Sequence, residues 1–300
     1  MVYTEIKRKK KNKYYYRAIS VRKKDNIMKR RVYLGKNLSK KDLIEKEKKA
    51  DRKLSLLSSL LTEKEIKELE NIQRRHINEP KVNLENRYEA FCALFTYNST
   101  AIEGNTLTLQ ETSNLLFEKI VPAPKSLREI NEVTNHKEAL DFILNLKEDI
   151  SKKTILELHK IVIKNTLEKD LEEQVGKYRK VQGYIRGIEW IPPKPEEVQK
   201  EMKSLLSWYS KNKKKLHPLI IAAYFHTAFE IIHPFVDGNG RVGRLLMNFI
   251  LHKNKFPMIN IPNREKNVYY KCLEEAQIRE NLKPFIEFLV NLLKEGKIRF

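Results

Sequence analysis

Apolar residues recur every three to four positions through most of the chain beyond residue 85. Residues 86–99 place Tyr88, Phe91, Leu94 and Phe95 on one helical face. The same period runs through 136–147, 154–166, 195–212, 218–232, 241–254, 266–279 and 284–295. The beginning of the chain reads differently. Residues 13–34 are rich in Tyr and Val and carry an Asp25-Asn26 turn signal, which predicts a β-hairpin with basic outward faces. Ser39 then stands where a helix N-cap belongs, ahead of a Lys/Glu-rich stretch (40–75) that reads as one or two exposed helices. Residues 176–195, GKYRKVQGYIRGIEWIPPKP, alternate apolar and polar positions between Gly and Pro, and read as a short hairpin or flap. The pattern predicts a mostly α body with minor β.

Composition narrows this picture. Hydrophobic residues make up 41% of the 300, enough for a real core. The longest apolar run, LIIAAYFHTAFEII (219–232), contains His226 and Glu230 and is too short and polar to span a bilayer, so it predicts a buried helix with His226 as a core histidine. The basic N-terminus has no apolar segment after it, so a cytoplasmic protein without a membrane partner is expected. Cys92 and Cys272 lie far apart without neighbouring ligands and read as core thiols. Net charge is +21, and residues 1–50 hold most of it, with 19 Lys and Arg against five acids, a surplus of 14. Interleaved with Tyr14, Tyr15, Tyr16 and Tyr33, these cations suit RNA, DNA or an acidic target. A solvated lysine-rich face explains them at least as well, so nucleic acid is not the favoured reading.

The candidate chemistry lies at DGNGRVGR (237–244), which contains G-x-G-x-x-G. A dinucleotide site would need a strand before the glycines and an acid about 20 residues on. Here a helical run precedes them and no acid follows until Glu265. What remains is helix, loop, helix. Gly238 and Gly240 free the backbone to turn N–H groups inward, and the next helix points its N-terminus at the same concavity, which makes an anion nest. Arg241 and Arg244, spaced i,i+3, reach one side. Cations at a helix N-terminus oppose the macrodipole, so a polyphosphate explains them better than stability does. Asp237 beside bound phosphate calls for a divalent cation, Mg²⁺, and His233 opens the loop as a general base.

HPFVDGNGRVGR (233–244) resembles the Fic family signature H-P-F-x-[D/E]-G-N-G-R-x-x-R at every fixed position. The resemblance implies a mostly α, Fic-type helical bundle with a small β-hairpin flap, carrying here an N-terminal β-hairpin and helical appendage. It implies transfer of AMP from ATP, with Mg²⁺, to a hydroxyl side chain of a target protein. On that pattern His233 deprotonates the hydroxyl and Asp237 holds Mg²⁺. Asn239 and the Gly238 and Gly240 backbone cradle the α-phosphate region, Arg241 and Arg244 take the β- and γ-phosphates, and Phe235 anchors the loop. The implied partners are ATP and the target protein; a homodimer is left open.

Residues 99–105, STAIEGN, match the same family's inhibitory motif [S/T]-x-x-x-E-[G/N] through Ser99, Glu103 and Gly104. A carboxylate brought to Arg244 would occupy it as a bidentate pair and deprive a γ-phosphate of its partner. A plain helix end, with Gly104 as the C′ residue, accounts for the same letters. The resemblance also covers enzymes that remove AMP, with Glu103 orienting water, so removal is the alternative activity, and a nucleic-acid-binding protein acting through its basic arm is a third. GKYR (176–179) resembles the segment leading to the flap, about 184–192, where an extended target segment could add as a strand. NVYYKCLEEA (267–276) resembles the helix lining the adenine side, where Tyr269 or Tyr270 could stack on the base, although aromatics at helical spacing are usually core. The expected division is a basic N-terminal region (1–84) and a catalytic domain (85–300) holding the inhibitory motif (99–104), flap and signature loop (233–244).

Overall fold

Three antiparallel strands open the chain in the order β1 (Val2–Lys9), β2 (Asn12–Lys23) and β3 (Asn26–Lys36). The structure is a computed structural model that describes residues 2–9, 11–23, 26–47, 50, 60–80, 82, 84–185, 191–296 and 300. Lys23 pairs with Asn26, where the Asp25-Asn26 turn was expected; Asp25 itself lies outside the described residues. Strand β1 enlarges the expected hairpin to a three-stranded sheet. Its alternation, Val2, Thr4, Ile6 against Tyr3, Glu5, Lys7, is masked in sequence by the basic run that follows. Residues 40–47 are helical, with Asp42 N–H donating to Ser39 Oγ as an N-cap. Tyr15 and Leu34 pack with Ala50, Val32, Leu38 and Leu43, so this helix covers one face of the sheet.

Contacts divide the chain between Thr62 and Glu63 rather than near residue 84. The physical reason is α1 (Glu63–Ile77), which buries Leu69 and Ile72 and pairs Glu68 with Lys294 of the last helix at 2.6 Å. The other main helices of this unit are α2 (Leu84–Ile102), α3 (Leu127–Asn145), α4 (Lys152–Val162), α5 (Pro195–Asn212), α6 (Pro218–Ile232), α7 (Asn239–Lys253), α8 (Lys266–Ile278) and α9 (Lys283–Glu295). Each contains or nearly matches a segment expected from periodicity. Helix α3 starts nine residues earlier than expected because a capping box of Ser126 and Glu129 initiates it ahead of its apolar stripe. None of the described helices is long and apolar enough to cross a membrane. Cys92 and Cys272 are free and buried.

Helix α7 lies at the centre, packed on α6, α2, α3 and α4. Every residue from Arg241 to Leu251 on it is buried. A helix apolar on all sides suits that position, yet its first two turns carry two arginines. The fold therefore draws two guanidinium groups into the interior, where each needs an anion or acceptor.

Residues 176–195 depart from the expected hairpin. Among their described residues there is no strand, and 186–190 lie outside the described set. The arms are held by side chains instead: Gln182 Nε2 donates to Pro192 O at 2.9 Å, and Arg179 donates to both Val181 O and Pro193 O.

Candidate active site

The loop between α6 and α7 is fixed on several sides. His233 ends α6 in the left-handed region, φ 47° and ψ 61°, with its N–H on Phe229 O at 2.9 Å. A non-glycine residue holds that conformation only where its surroundings impose it. Arg179 does so here. It is 2% exposed; its Nε donates to His233 O at 2.8 Å and its backbone N–H to Pro234 O at 2.9 Å. Phe235, in the core as expected, lies flat on His159 with ring centroids 3.7 Å apart. His159 Nδ1 accepts the Gly176 N–H at 3.1 Å, which puts its proton on Nε2, facing Asp237 O at 3.2 Å. Burial pushes the His159 imidazolium down to about 3, so the ring is neutral.

Gly238 is dictated by conformation and space, and Gly240 by how closely Glu103 approaches it. Gly238 sits at φ +79°, and a Cβ there would lie 2.7 Å from Ile163 Cγ2. A Cβ on Gly240 would lie 2.1 Å from Glu103 Oε1. Asn239 departs from the expected phosphate-cradling role. Its side chain is turned inward, accepting from Phe235 N–H at 2.9 Å and donating to Phe235 O at 2.8 Å, so it braces the loop. Among the described residues, the backbone N–H groups of Asn239, Gly240 and Arg241 have no backbone acceptor, as expected of a helix's first turn.

The two arginines differ in state. Arg241 Nη2 donates to Asp237 Oδ1 at 3.1 Å, and Nη1 lies 3.8 Å from Glu132 Oε1. Among the described residues, its Nε and Nη1 are buried without a hydrogen-bond partner. Arg244, 1% exposed, is engaged through two of its nitrogens: Nε with Ser99 Oγ at 3.0 Å, and Nη2 with Ser99 O at 2.8 Å and with Glu103 Oε1 at 2.7 Å. The expected bidentate pair is thus a single contact to Glu103, completed by Ser99. Burial opposes the Arg244 charge, but Glu103 outweighs it and raises its pKa. Helix α2 ends in a Schellman turn, Asn105 N–H on Thr100 O and Gly104 N–H on Ala101 O, with Gly104 at φ +104°. The plain helix end and the approach to Arg244 therefore coexist, because the turn fixes where Glu103 projects.

Asp237 Oδ1 also accepts its neighbour's Gly238 N–H at 2.6 Å, and Oδ2 lies 3.4 Å from Arg128 Nη2. Burial resists its ionisation, but Arg241, that N–H and Arg128 prevail and hold it below the usual carboxylate range. No cluster of three or more metal-ligating side chains occurs among the described residues. A Mg²⁺ held by one carboxylate and completed by phosphate oxygens and water fits such a site, and the unpartnered Arg241 donors fit the phosphates. Among the described residues, His233 Nδ1 is buried without a hydrogen-bond partner, 4.0 Å from Glu230 Oε2. Burial, and then the Arg179 charge, push the His233 imidazolium down to about 4. Glu230 is shifted the other way, up to about 8, by burial.

Tyr269 does not fit a base-stacking role. It is 1% exposed, bonded to the core histidine His226 at 2.7 Å, with the Arg244 guanidinium 6.0 Å from its ring centre. Tyr270, 37% exposed, retains an accessible ring. Sequence reasoning missed Arg128, Glu132, His159 and the role of Arg179. Arg128 and Glu132 form an i,i+4 pair on α3 at 3.2 Å, a signal indistinguishable in sequence from a surface ion pair. His159 reads as one more core residue on the apolar face of α4.

Arg179→Lys is expected to lower stability by about 2–4 kcal/mol, because an ammonium cannot span carbonyls on both the loop and the 181–193 segment. A denaturant melt with an unchanged midpoint would show that the guanidinium is not the clamp.

Residues 149–251 match the Fic/DOC family. The chain is 38% identical over 198 residues to the protein adenylyltransferase Fic of Nematostella vectensis, covering 64% of this chain and 45% of that protein. It is 38% identical over 199 residues to the protein adenylyltransferase Fic of Drosophila melanogaster, covering 65% and 39%. The chain thus spans less than half the length of these relatives. Among solved structures it is similar to a Fic domain containing signaling protein from Bacteroides thetaiotaomicron, with TM-score 0.69, 29% identity and coverage of 76% of this chain and 93% of that one. It is also similar to Fic-1 from C. elegans, with TM-score 0.69, 28% identity, and coverage of 86% and 76%.

Proposed function

We propose that this chain, whose residues 149–251 match the Fic/DOC family, transfers AMP from ATP to a hydroxyl side chain of a protein, under restraint by Glu103. The observation that carries this reading is the pair of buried guanidinium groups on α7. One has two donors without partners among the described residues, and the other is held by a carboxylate 2.7 Å away. In the proposed reaction His233 takes the proton of the acceptor hydroxyl. The hydroxyl oxygen attacks the α-phosphorus, the bond to the β-phosphate oxygen breaks, and pyrophosphate leaves. Arg241, Arg244 and the first-turn amides of α7 hold the phosphates in line. Asp237 would hold Mg²⁺, which would supply charge neutralisation for the phosphates. With Glu103 on Arg244 the terminal phosphate lacks its partner, so ATP sits without the alignment that attack requires.

The test is label transfer by the Glu103→Gly chain with Mg²⁺. Label at the α-phosphate is expected to stay on protein, and label at the γ-phosphate is not. Retention of the γ-label, or no label at all, would refute the reading. Loss of AMP from pre-modified protein without any transfer would assign the site to removal.

The histidine shift gives a pH prediction. A base works deprotonated, so activity is lost as pH falls through the pKa of the folded enzyme. With that value near 4, kcat/KM should stay level from pH 7 to about pH 5. An acid limb centred at the ordinary imidazole value of about 6.5 would exclude His233, as placed here, from the role of base.

A further inference from the structure

Among its described residues, the N-terminal sheet has one covered face and one without a partner inside its unit. Helix 40–47 and Ala50 lie on the Tyr15 and Leu34 side, where Glu47 also reaches Arg17 at 3.6 Å. On the other face the register aligns two rows across all three strands. Lys7, Tyr14 and Lys36 form one, and Glu5, Tyr16 and Tyr33 the next. A bulge keeps them together. The pairing shifts between Tyr15 and Tyr16 and skips Leu34, so Tyr33 and Lys36, three apart in sequence, share a face. Tyr16 and Tyr33 pack at 5.2 Å between ring centres, and Lys7 Nζ lies 5.6 Å over the Tyr16 ring. Tyr33 is 53% exposed, and Lys7 and Lys36 are exposed. The carboxylate in these rows, Glu5, is held by Arg31 at 2.5 Å. Lys7 and Lys36 have no carboxylate within ion-pair distance among the described residues.

We propose that this face binds single-stranded nucleic acid, bases on the tyrosine rings and phosphates on the flanking lysines. The proposal is independent of the activity assigned to the α7 site. A solvated lysine face accounts for the cations but leaves the tyrosine cluster without a reason. An acidic protein would use the cations and not the rings, and a duplex hides its base faces and presents phosphates. A sheet whose outward aromatics stack bases between cations engages both parts of a single strand. The surplus of 14 positive charges over residues 1–50 suits a polyanion.

The test uses the full chain and a fluorescent 20-nucleotide oligothymidine, read by anisotropy between 50 and 200 mM salt. Binding that weakens with salt is expected. Lys7→Gln with Lys36→Gln should flatten the log–log salt slope by about 1.4, at roughly 0.7 per phosphate contact. Tyr33→Ala should weaken binding roughly 5- to 150-fold with the slope unchanged, and Tyr33→Phe should retain it. No binding by the native chain at 50 mM salt would overturn the proposal. So would a neutral Tyr33→Ala with equal affinity for a duplex, and so would binding of poly-glutamate as tight as that of the oligonucleotide.

Discussion

Replacing His233 in the Glu103→Gly background is expected to lower kcat for AMP transfer by roughly 10²- to 10⁴-fold, the range for loss of a positioned general base. The choice of replacement matters. His233 occupies the left-handed region at φ 47°, where alanine is strained while asparagine is tolerated. His233→Ala could therefore lose activity through a distorted loop, whereas His233→Asn keeps the turn and removes only the base. Both variants should lose transfer equally. Nucleotide affinity should change little, because the phosphates are assigned to Arg241, Arg244 and the helix amides. The measurement is single-turnover labelling beside ATP binding by calorimetry. Transfer by His233→Asn within tenfold of its parent would rule the imidazole out as the base.

The second large effect is Glu103→Gly itself. Glu103 makes a charge-assisted hydrogen bond to an arginine that is 1% exposed. A bond of this kind is worth about 1.5–3 kcal/mol, so its removal should raise kcat/KM roughly 10- to 150-fold. Glu103→Gln keeps the shape and loses the charge, and should fall between. The helix end should survive, since the Schellman turn is made by Gly104 and Asn105 amides rather than by the Glu103 side chain. Arg244 would then be buried without a carboxylate partner, keeping Ser99 and the Tyr269 ring, which destabilises the nucleotide-free protein. ATP should restore the lost stability, giving a larger ATP-induced rise in Tm than in the native chain. Equal Tm shifts and equal labelling rates in both chains would mean that Glu103 does not restrain the site.

Much of this site was legible because its chemistry is local. Residues 233–244 form one helix–loop–helix unit, and the glycines, arginines and acid stand close enough in sequence for their shared concavity to follow from chain geometry. Glu103 was legible as part of a motif, since its helix end is also local. Its geometry was not. The pairing uses one carboxylate oxygen, and Ser99 completes the guanidinium, because α2 crosses the start of α7 where the Ser99 carbonyl reaches Arg244 as well. Asn239 was misjudged for a similar reason. An amide beside a phosphate nest suggests a ligand contact, but the loop's own strained turn needs it more. Tyr269 was misplaced because an aromatic on an amphipathic helix does not show which side the core takes.

The chain's letters alone predicted the helical periodicity, a basic hairpin where the structure has a three-stranded sheet, and the run of glycines and arginines at the start of α7. These are short-range matters, governed by backbone preference and by spacing along one element. Packing decided the rest. Burying α7 on all sides drew Arg241 and Arg244 into the interior. The same packing brought Arg179, His159 and Arg128 from distant segments against the loop and lowered the histidine's proton affinity by excluding water. Burial and the meeting of remote side chains depend on where whole helices come to rest, which spacing within any one of them does not specify.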